Sequence, residues 1–169
     1  DIQSMREQIS IFFQDYTKYE LTLRENVSIG NVKELWQDSK IINTLKNVGF
    51  NKLNDLEQQL GVWFDNGRQL SGGEWIKIGI ARAIFKNSSL VIFDEPDASL
   101  DRLAEKDVYQ QIVGTATNKI CIFVSHHLSS IPKESIRIVL KEGEIVGMGT
   151  HENLLKHCKM YSDLYNFDM

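Results

Sequence analysis

Two short runs of apolar residues, each followed at once by polar residues, constrain the fold of this chain most strongly. Residues 90–93 (LVIF) lead directly into Asp94 and Glu95, and residues 120–124 form a second run of this kind. Such runs are typical of strands in a parallel sheet that is covered on both faces. Open parallel sheets bind ligands at the carboxyl ends of their strands. The two carboxylates are therefore expected at a ligand-binding edge.

Strands and helices are predicted to alternate along the chain. Strands are predicted at residues 8–13, 90–93, 120–124, 136–140 and 144–146. Helices are predicted at residues 35–48, 74–85, 103–113, 152–160 and 161–167. Asp38 and Ser39 are candidate helix caps, and Glu142 with Gly143 predicts a hairpin turn. This alternation favours an α/β fold with a mainly parallel sheet, into which residues 22–85 would be inserted as a helical lobe.

Composition argues against several classes of protein. The chain has 169 residues, of which 42% are hydrophobic, and a formal net charge of −4. A nucleic-acid-binding protein of this size usually carries a basic patch, so no nucleic-acid partner is expected. The longest apolar run is far shorter than the ~20 residues of a membrane span. Cys121 and Cys158 lack the spacing of a disulfide framework or a zinc site, which fits a reducing, cytosolic setting.

Residues 71–74 (SGGE) precede an apolar-periodic helix. Ser71 and Glu74 have the spacing of a capping box, and a plain helix start would explain that pair. A cap does not need Gly72 and Gly73, whereas a backbone that must approach a phosphate closely does. The N–H groups and the positive end of the helix dipole would then face the anion.

The order of these motifs resembles that of the ATP-binding cassette (ABC) ATPases. The signature motif of that family consists here of Leu70, Ser71, Gly72, Gly73 and Glu74. The strand that ends in Asp94 and Glu95 matches the family's Walker B strand, and the resemblance covers nearly the whole chain. It implies a P-loop NTPase (RecA-like) parallel-sheet core, incomplete here, with an inserted helical subdomain. The implied parts are the first strand and its loop (1–16), the helical subdomain (17–86) and the catalytic half of the core (87–169).

The resemblance also implies a role for each motif in ATP hydrolysis. The signature, residues 70–74, contacts the γ-phosphate of a nucleotide held mainly by a second ABC ATPase domain in a head-to-tail dimer. Asp94 is implied as a Mg²⁺ ligand and Glu95 as the general base. Gln14 opens the family's Q-loop and is implied to reach both Mg²⁺ and the attacking water. ATP and Mg²⁺ are therefore the expected cofactors.

Further residues take their expected roles from the same resemblance. His126, after the strand at residues 120–124, is implied to hydrogen-bond the γ-phosphate and hold the attacking water in line. Asp101 ends a run that resembles the D-loop, which contacts the opposite subunit. Asp97 stands where the family more often has threonine, and nothing in the sequence explains that change. Trp63 and Trp75 are expected to be packing residues, and no residue matches the family's adenine-stacking aromatic.

One motif of the family is missing from this sequence. No glycine is followed by lysine, so the phosphate-binding loop G-x-x-x-x-G-K-[ST] is absent. The chain is therefore expected to be an ABC ATPase domain without its front end, either a truncated form or the product of a split gene. Alone, it is expected to bind ATP weakly or not at all, and to self-associate through the apolar surface of an incomplete sheet.

Residues 22–26 and 61–67 resemble the ABC exporters, whose membrane helices are fused upstream of the ATPase. A transmembrane domain is then expected to contact the Q-loop region between Tyr16 and Thr22, at the cytoplasmic face of the cell membrane. The alternatives are an ABC ATPase of DNA repair or chromosome maintenance, and a non-catalytic interaction fragment. No residue indicates the transported substrate.

Overall fold

The computed structural model describes residues 1–52, 55–96, 100, 102–115 and 118–168, and it divides into two compact units, Asp1–Ser125 and His126–Met169. The strands are β1 (Ile9–Phe12), β2 (Leu90–Asp94), β3 (Ile120–Val124), β4 (Arg137–Lys141) and β5 (Glu144–Gly149). The helices are α1 (Ile2–Glu7), α2 (Leu23–Ser28), a 3₁₀ helix (Val32–Glu34), α3 (Asp38–Asn47), α4 (Gly72–Phe85), α5 (Arg102–Thr115), α6 (His151–His157) and α7 (Lys159–Asp168). The functional division at residues 16 and 86 stays a prediction.

The first unit is built on a parallel sheet in the order β1-β2-β3. Phe12 lies opposite Phe93, which lies opposite Phe123 on the third strand. Phe12 and Phe93 are buried, and the rings of Phe93 and Phe123 stack with their centroids 5.4 Å apart. Side chains alternate between the faces of a strand, so this row forms the face that packs on the helices. The α/β class and the parallel sheet are confirmed.

The opposite face of the same sheet is apolar but partly open. Ile11 is 41% exposed, and Ile122 is 45% exposed on β3. The expectation that the apolar strands are covered on both faces is therefore wrong for β3. Branched and aromatic residues favour a strand whatever covers it, so apolar composition predicts the strand but not its neighbours.

Helix α4 is the central packing element of the first unit, where it contacts α2, α3, α5 and β1. Ser10 Oγ donates a hydrogen bond of 2.8 Å to the Ala83 carbonyl, which ties the helix to β1. Trp75, in the first turns of α4, is buried, as expected. Trp63 is 83% exposed, so its predicted packing role is wrong; it belongs to the loop between α3 and α4.

The start of α3 differs from the prediction. The helix begins at Asp38 with Gln37 at the cap position and without a side-chain cap, so Asp38 and Ser39 are not caps. Asp38 instead accepts a hydrogen bond of 2.6 Å from the buried guanidinium of Arg24. Arg24 also donates 2.6 Å to Glu57. The two carboxylates offset the cost of burying the Arg24 charge. Asp38 therefore serves as an ion-pair partner of Arg24 and not as a helix cap.

The second unit contains the antiparallel hairpin β4–β5 and the helices α6 and α7. The turn residues Glu142 and Gly143 both have positive φ, 52° and 84°, as a two-residue turn matched to strand twist requires. The hairpin prediction is confirmed. Its small core is Val139, Leu154, Cys158 and Tyr161.

A buried polar cluster lies beside this small core. Arg137 donates 2.6 Å to His151 Nδ1 and also bonds the Tyr161 hydroxyl, while the same hydroxyl lies 2.8 Å from His151 Nδ1. A guanidinium can only donate, so His151 Nδ1 must accept and the neutral ring carries its proton on Nε2. Burial, together with the positive charges of Arg137 and Lys133, lowers the pKa of His151.

Candidate active site

The ends of β1 and β2 bring two of the predicted catalytic residues into contact. The strands are adjacent and parallel, so their carboxyl ends lie at the same edge of the sheet. Gln14 follows β1 and Glu95 follows β2. Gln14 Nε2 donates a hydrogen bond of 2.6 Å to Glu95 Oε2. The amide thus fixes the orientation of the carboxylate.

The backbone of Glu95 is also held in an unusual conformation. Its φ is +44°, in the left-handed region that residues with side chains seldom adopt. Its N–H donates 2.9 Å to the carbonyl of Val124, the last residue of β3. This bond to the neighbouring strand stabilises the sharp turn at the end of β2. Such conformations cluster at functional sites, where the surrounding structure maintains them.

Asp94 is the last residue of β2 and lies opposite Val124 in the sheet. Its carboxylate and the side-chain oxygen of Gln14 are the kind of ligands that Mg²⁺ prefers. Within the described ranges, no group of three or more His, Cys, Asp or Glu side chains could hold a metal. Mg²⁺ usually takes one or two protein carboxylates and completes its shell with water and phosphate oxygens, so these residues fit such an ion.

The signature forms the N-terminal end of α4 through a complete capping box. Ser71 Oγ accepts from the Glu74 N–H at 3.3 Å, and Glu74 Oε2 accepts from the Ser71 N–H at 2.8 Å. Leu70, just before the cap, is buried and anchors the turn. The predicted capping box is thus confirmed. It explains Ser71 and Glu74 but not the two glycines between them.

Gly72 and Gly73 are not explained by the fold of this chain. Neither has a positive φ, so the backbone does not require glycine at either position. Among the residues that the structure describes, a Cβ on Gly72 would meet no atom within 4 Å, and one on Gly73 would make an ordinary 3.4 Å contact with Leu100. A helix leaves its first four N–H groups without intrahelical acceptors, and the capping box engages those of Ser71 and Glu74. The N–H groups of the two glycines remain at the open end of the helix.

The Q-loop is connected to the signature helix on both sides of Gln14. The rings of Phe12 and Tyr16 stack 5.2 Å apart. A Cβ on Gly79 of α4 would lie 2.7 Å from Phe12, so the strand and the helix approach as closely as glycine allows. The Tyr16 hydroxyl lies 3.5 Å from the Gly72 carbonyl oxygen, at the long limit of a hydrogen bond. The contacts with Gly79 and Gly72 were not predicted, because they join segments far apart in the chain.

Two further site residues were predicted from the sequence, His126 and Asp101. His126 is the first residue of the second unit, where its ring packs edge-on against that of His127 with the centroids 4.2 Å apart. Asp101 and Asp97 lie outside the described residues. The roles of His126 and Asp101 stay predictions.

A groove lies beside the Q-loop region that was predicted to contact a membrane domain. Its cavity of roughly 710 Å³ is lined by residues that include Phe13, Tyr16, Tyr19 and Arg82. Arg82 donates 3.2 Å to the Thr17 carbonyl and lies over the Tyr19 ring at 4.6 Å. Arg82 therefore forms one wall of the groove, a role that the sequence alone did not indicate.

Comparison with known proteins assigns the family. A model of the ABC transporter family matches residues 1–98. The chain is 45% identical over 165 residues to the nisin transport ATP-binding protein NisT of Lactococcus lactis, which covers 95% of the chain. It is 44% identical over 169 residues to the subtilin transport ATP-binding protein SpaT of Bacillus subtilis, which covers 97% of the chain. The chain therefore belongs to the ABC transporter family.

A solved structure gives the same assignment. An Atm1-family bacterial ABC exporter with ATP bound superposes with a TM-score of 0.81 and 25% identity over 98% of the chain. The chain spans 28% of the length of the two curated relatives and 29% of the exporter chain. Within the part of the chain that the structure describes, no helix is both long and apolar enough to cross a bilayer. The matched relatives are transport proteins, which does not support the DNA-maintenance alternative.

Proposed function

We propose that this chain is part of the ATP-binding and ATP-hydrolysing domain of an ABC exporter. The observation that carries the proposal is the open end of α4, where Gly72 and Gly73 present two N–H groups and have no side chains of their own to keep a ligand away. Together with the helix dipole, these donors suit a phosphate that approaches from outside the chain. The phosphate is the γ-phosphate of an ATP bound mainly by a second ABC domain, in a head-to-tail dimer.

The proposed reaction is attack of water on the γ-phosphate, giving ADP and phosphate. Glu95 takes the proton of the attacking water, and Gln14 holds the carboxylate in place by the 2.6 Å bond to Oε2. Asp94 and Gln14 would hold Mg²⁺, which would neutralise charge on the phosphate oxygens when bound. His126 is proposed to hydrogen-bond the γ-phosphate. Asp101 is proposed to contact the partner domain.

The phosphates of the ATP bound to this domain require further hydrogen-bond donors and positive charge. The sequence has no G-x-x-x-x-G-K motif to supply backbone donors and a lysine for them. We infer that the chain alone binds ATP weakly and that its motifs form one part of a composite site.

The proposed membrane partner docks in the groove beside the Q-loop. Phe13, Tyr16 and Tyr19 give the groove an aromatic lining, and Tyr16 connects it to the carbonyl of Gly72. A transmembrane domain that moves in this groove would shift the segment that contains Gln14. We propose that the domain lies at the cytoplasmic face of the membrane. Because two relatives are named for nisin and subtilin transport, we propose export of a compound of that kind.

The open helix end can be tested by Gly72→Ala in the complete transporter. The added methyl group would meet no atom of the described residues within 4 Å, and alanine favours a helix by up to about 1 kcal/mol over glycine, so stability should stay equal or rise slightly. ATP-dependent phosphate release should fall about 10- to 100-fold, because the methyl group keeps the phosphate away from the N–H groups.

Gly114→Ala is the matched control. Gly114 is in α5, and a Cβ there also meets no atom of the described part of the chain within 4 Å. This variant should keep wild-type phosphate release. Equal activity of Gly72→Ala and Gly114→Ala would refute the phosphate site at α4.

A further inference from the structure

The phosphate-facing end of α4 already contains a negative charge. The Glu74 side chain is 15% exposed, and its Oε2 accepts the Ser71 N–H at 2.8 Å. Partial burial raises the pKa of this carboxyl, but the hydrogen bonds from Ser71 and the charge of Lys52 outweigh it and bring the pKa below its usual value. The carboxylate is therefore ionised at neutral pH. It would repel a phosphate that approaches the end of α4, since nearby like charges repel each other even near a protein surface.

Lys52 brings a positive charge to the same end of the helix. Its Nζ lies 3.3 Å from Glu74 Oε1, the oxygen opposite the one that Ser71 holds. Lys52, Ser71, Gly73 and Glu74 line one cavity of about 220 Å³. The carboxylate is thus held from two sides, by a backbone donor and by an ammonium.

The loop that contains Lys52 is fastened to α4. Lys77 of α4 donates 3.0 Å to the Gly49 carbonyl, and Phe50 is buried in the core. These two anchors lie just before Lys52 in the chain. They keep the ammonium near the cap although the Lys52 side chain itself is 69% exposed.

We propose that Lys52 is a positioning residue of the signature motif. Its ammonium holds the Glu74 carboxylate in the capping box and cancels its charge, so that the N–H groups of Gly72 and Gly73 can receive a phosphate. Lys52 acts through Glu74 and needs no contact with the nucleotide. The inference rests on the proposed function of the α4 end, and it adds a residue outside the motif on which that end depends.

The first test is Lys52→Met in the complete transporter, with Lys46→Met as the matched control on the exposed surface of α3. Lys52→Met should raise the KM for ATP by up to about fivefold at low salt and leave kcat nearly unchanged, since exposed ion pairs contribute up to about 1 kcal/mol. The increase should vanish near 1 M salt, where the Debye length falls to about 3 Å and interactions between exposed charges are screened. Lys46→Met should keep the wild-type KM, and Lys52→Arg should restore it.

A double-mutant cycle with Glu74→Gln decides whether Lys52 acts through Glu74. Once the carboxylate is replaced, Lys52→Met should change the KM less than about 1.5-fold. An equal rise in both backgrounds, or no rise in either, would overturn the inference. Glu95→Gln in the same assay separates the two proposals. If Glu95→Gln leaves turnover intact, the proposed function is wrong. If Glu95→Gln abolishes turnover but the double-mutant cycle shows no coupling between Lys52 and Glu74, only the proposed role of Lys52 is wrong.

Discussion

Glu95 illustrates how neighbouring strands place a functional side chain. Its carboxylate is held by Gln14 after β1, and its backbone N–H is held by Val124 of β3. The left-handed backbone costs about 1–2 kcal/mol for a residue with a Cβ, and the bond to Val124 helps to offset that cost. A single side chain is thus oriented by both neighbours of its strand.

The buried His151 of the second unit is predicted to make the stability of the chain depend on pH. Its pKa is lowered from the ordinary 6.5, so the folded chain binds this proton more weakly than the unfolded chain does. The contribution of the neutral His151 to the stability of the folded chain is therefore fully present above pH 6.5. It is lost as the pH falls towards the lowered pKa of the folded state. The loss should approach about 1.4 kcal/mol per pH unit, the value for one proton.

Chemical denaturation of the chain between pH 7.5 and about 5 would measure this effect. His151→Gln should flatten the pH dependence. The control His157→Gln changes an exposed histidine on the same helix and should keep the wild-type slope. Identical slopes for the wild type and His151→Gln would contradict the assignment.

At the scale of elements, α4 joins the two parts of the candidate site. Its N-terminal end is the signature, and seven residues on, Gly79 contacts Phe12 next to the Q-loop. A movement of the Q-loop is therefore expected to reach the N-terminal end of α4 through the packed rings of Phe12 and Tyr16. This connection lies entirely within the first unit.

Gly79→Ala tests that close packing. Alanine favours a helix, but its Cβ would lie 2.7 Å from a ring carbon of Phe12, so the ring must move. We expect a net destabilisation of about 1–3 kcal/mol, as for other overpacked cores. Urea unfolding would measure it, with Gly114→Ala as a control that should be neutral or stabilising. A Gly79→Ala chain as stable as the wild type would show that the packing at Phe12 is loose.

The parts that could be predicted from the sequence are those with local causes. The capping box at Ser71, the apolar strands and the Glu142–Gly143 turn each follow from residues close together in the chain. The contact between Gln14 and Glu95 needed the strand order as well. The Arg24 and Arg137 networks, the exposure of Trp63 and the short helix α1 depend on packing between distant segments or on marginal local preference, so no local pattern revealed them.

For the molecule as a whole, we proposed that the chain is a part of an ABC exporter. The chain spans 28% of the length of the nisin and subtilin transport proteins, and its sheet has a partly open apolar face. We proposed that its signature end and its Glu95 edge bind ATP, and the sequence has no G-x-x-x-x-G-K motif to add the usual phosphate donors. We therefore expect activity only in a protein that supplies those donors.

The most direct measurement is ATP binding and phosphate release by the complete transporter that carries Glu95→Gln. Without the general base, phosphate release should fall at least about 100-fold, while ATP stays bound because the contacts that hold it are intact. Glu7→Gln, at an exposed carboxylate of α1, should behave as the wild type. Undiminished phosphate release by Glu95→Gln would show that this site does not hydrolyse ATP as proposed.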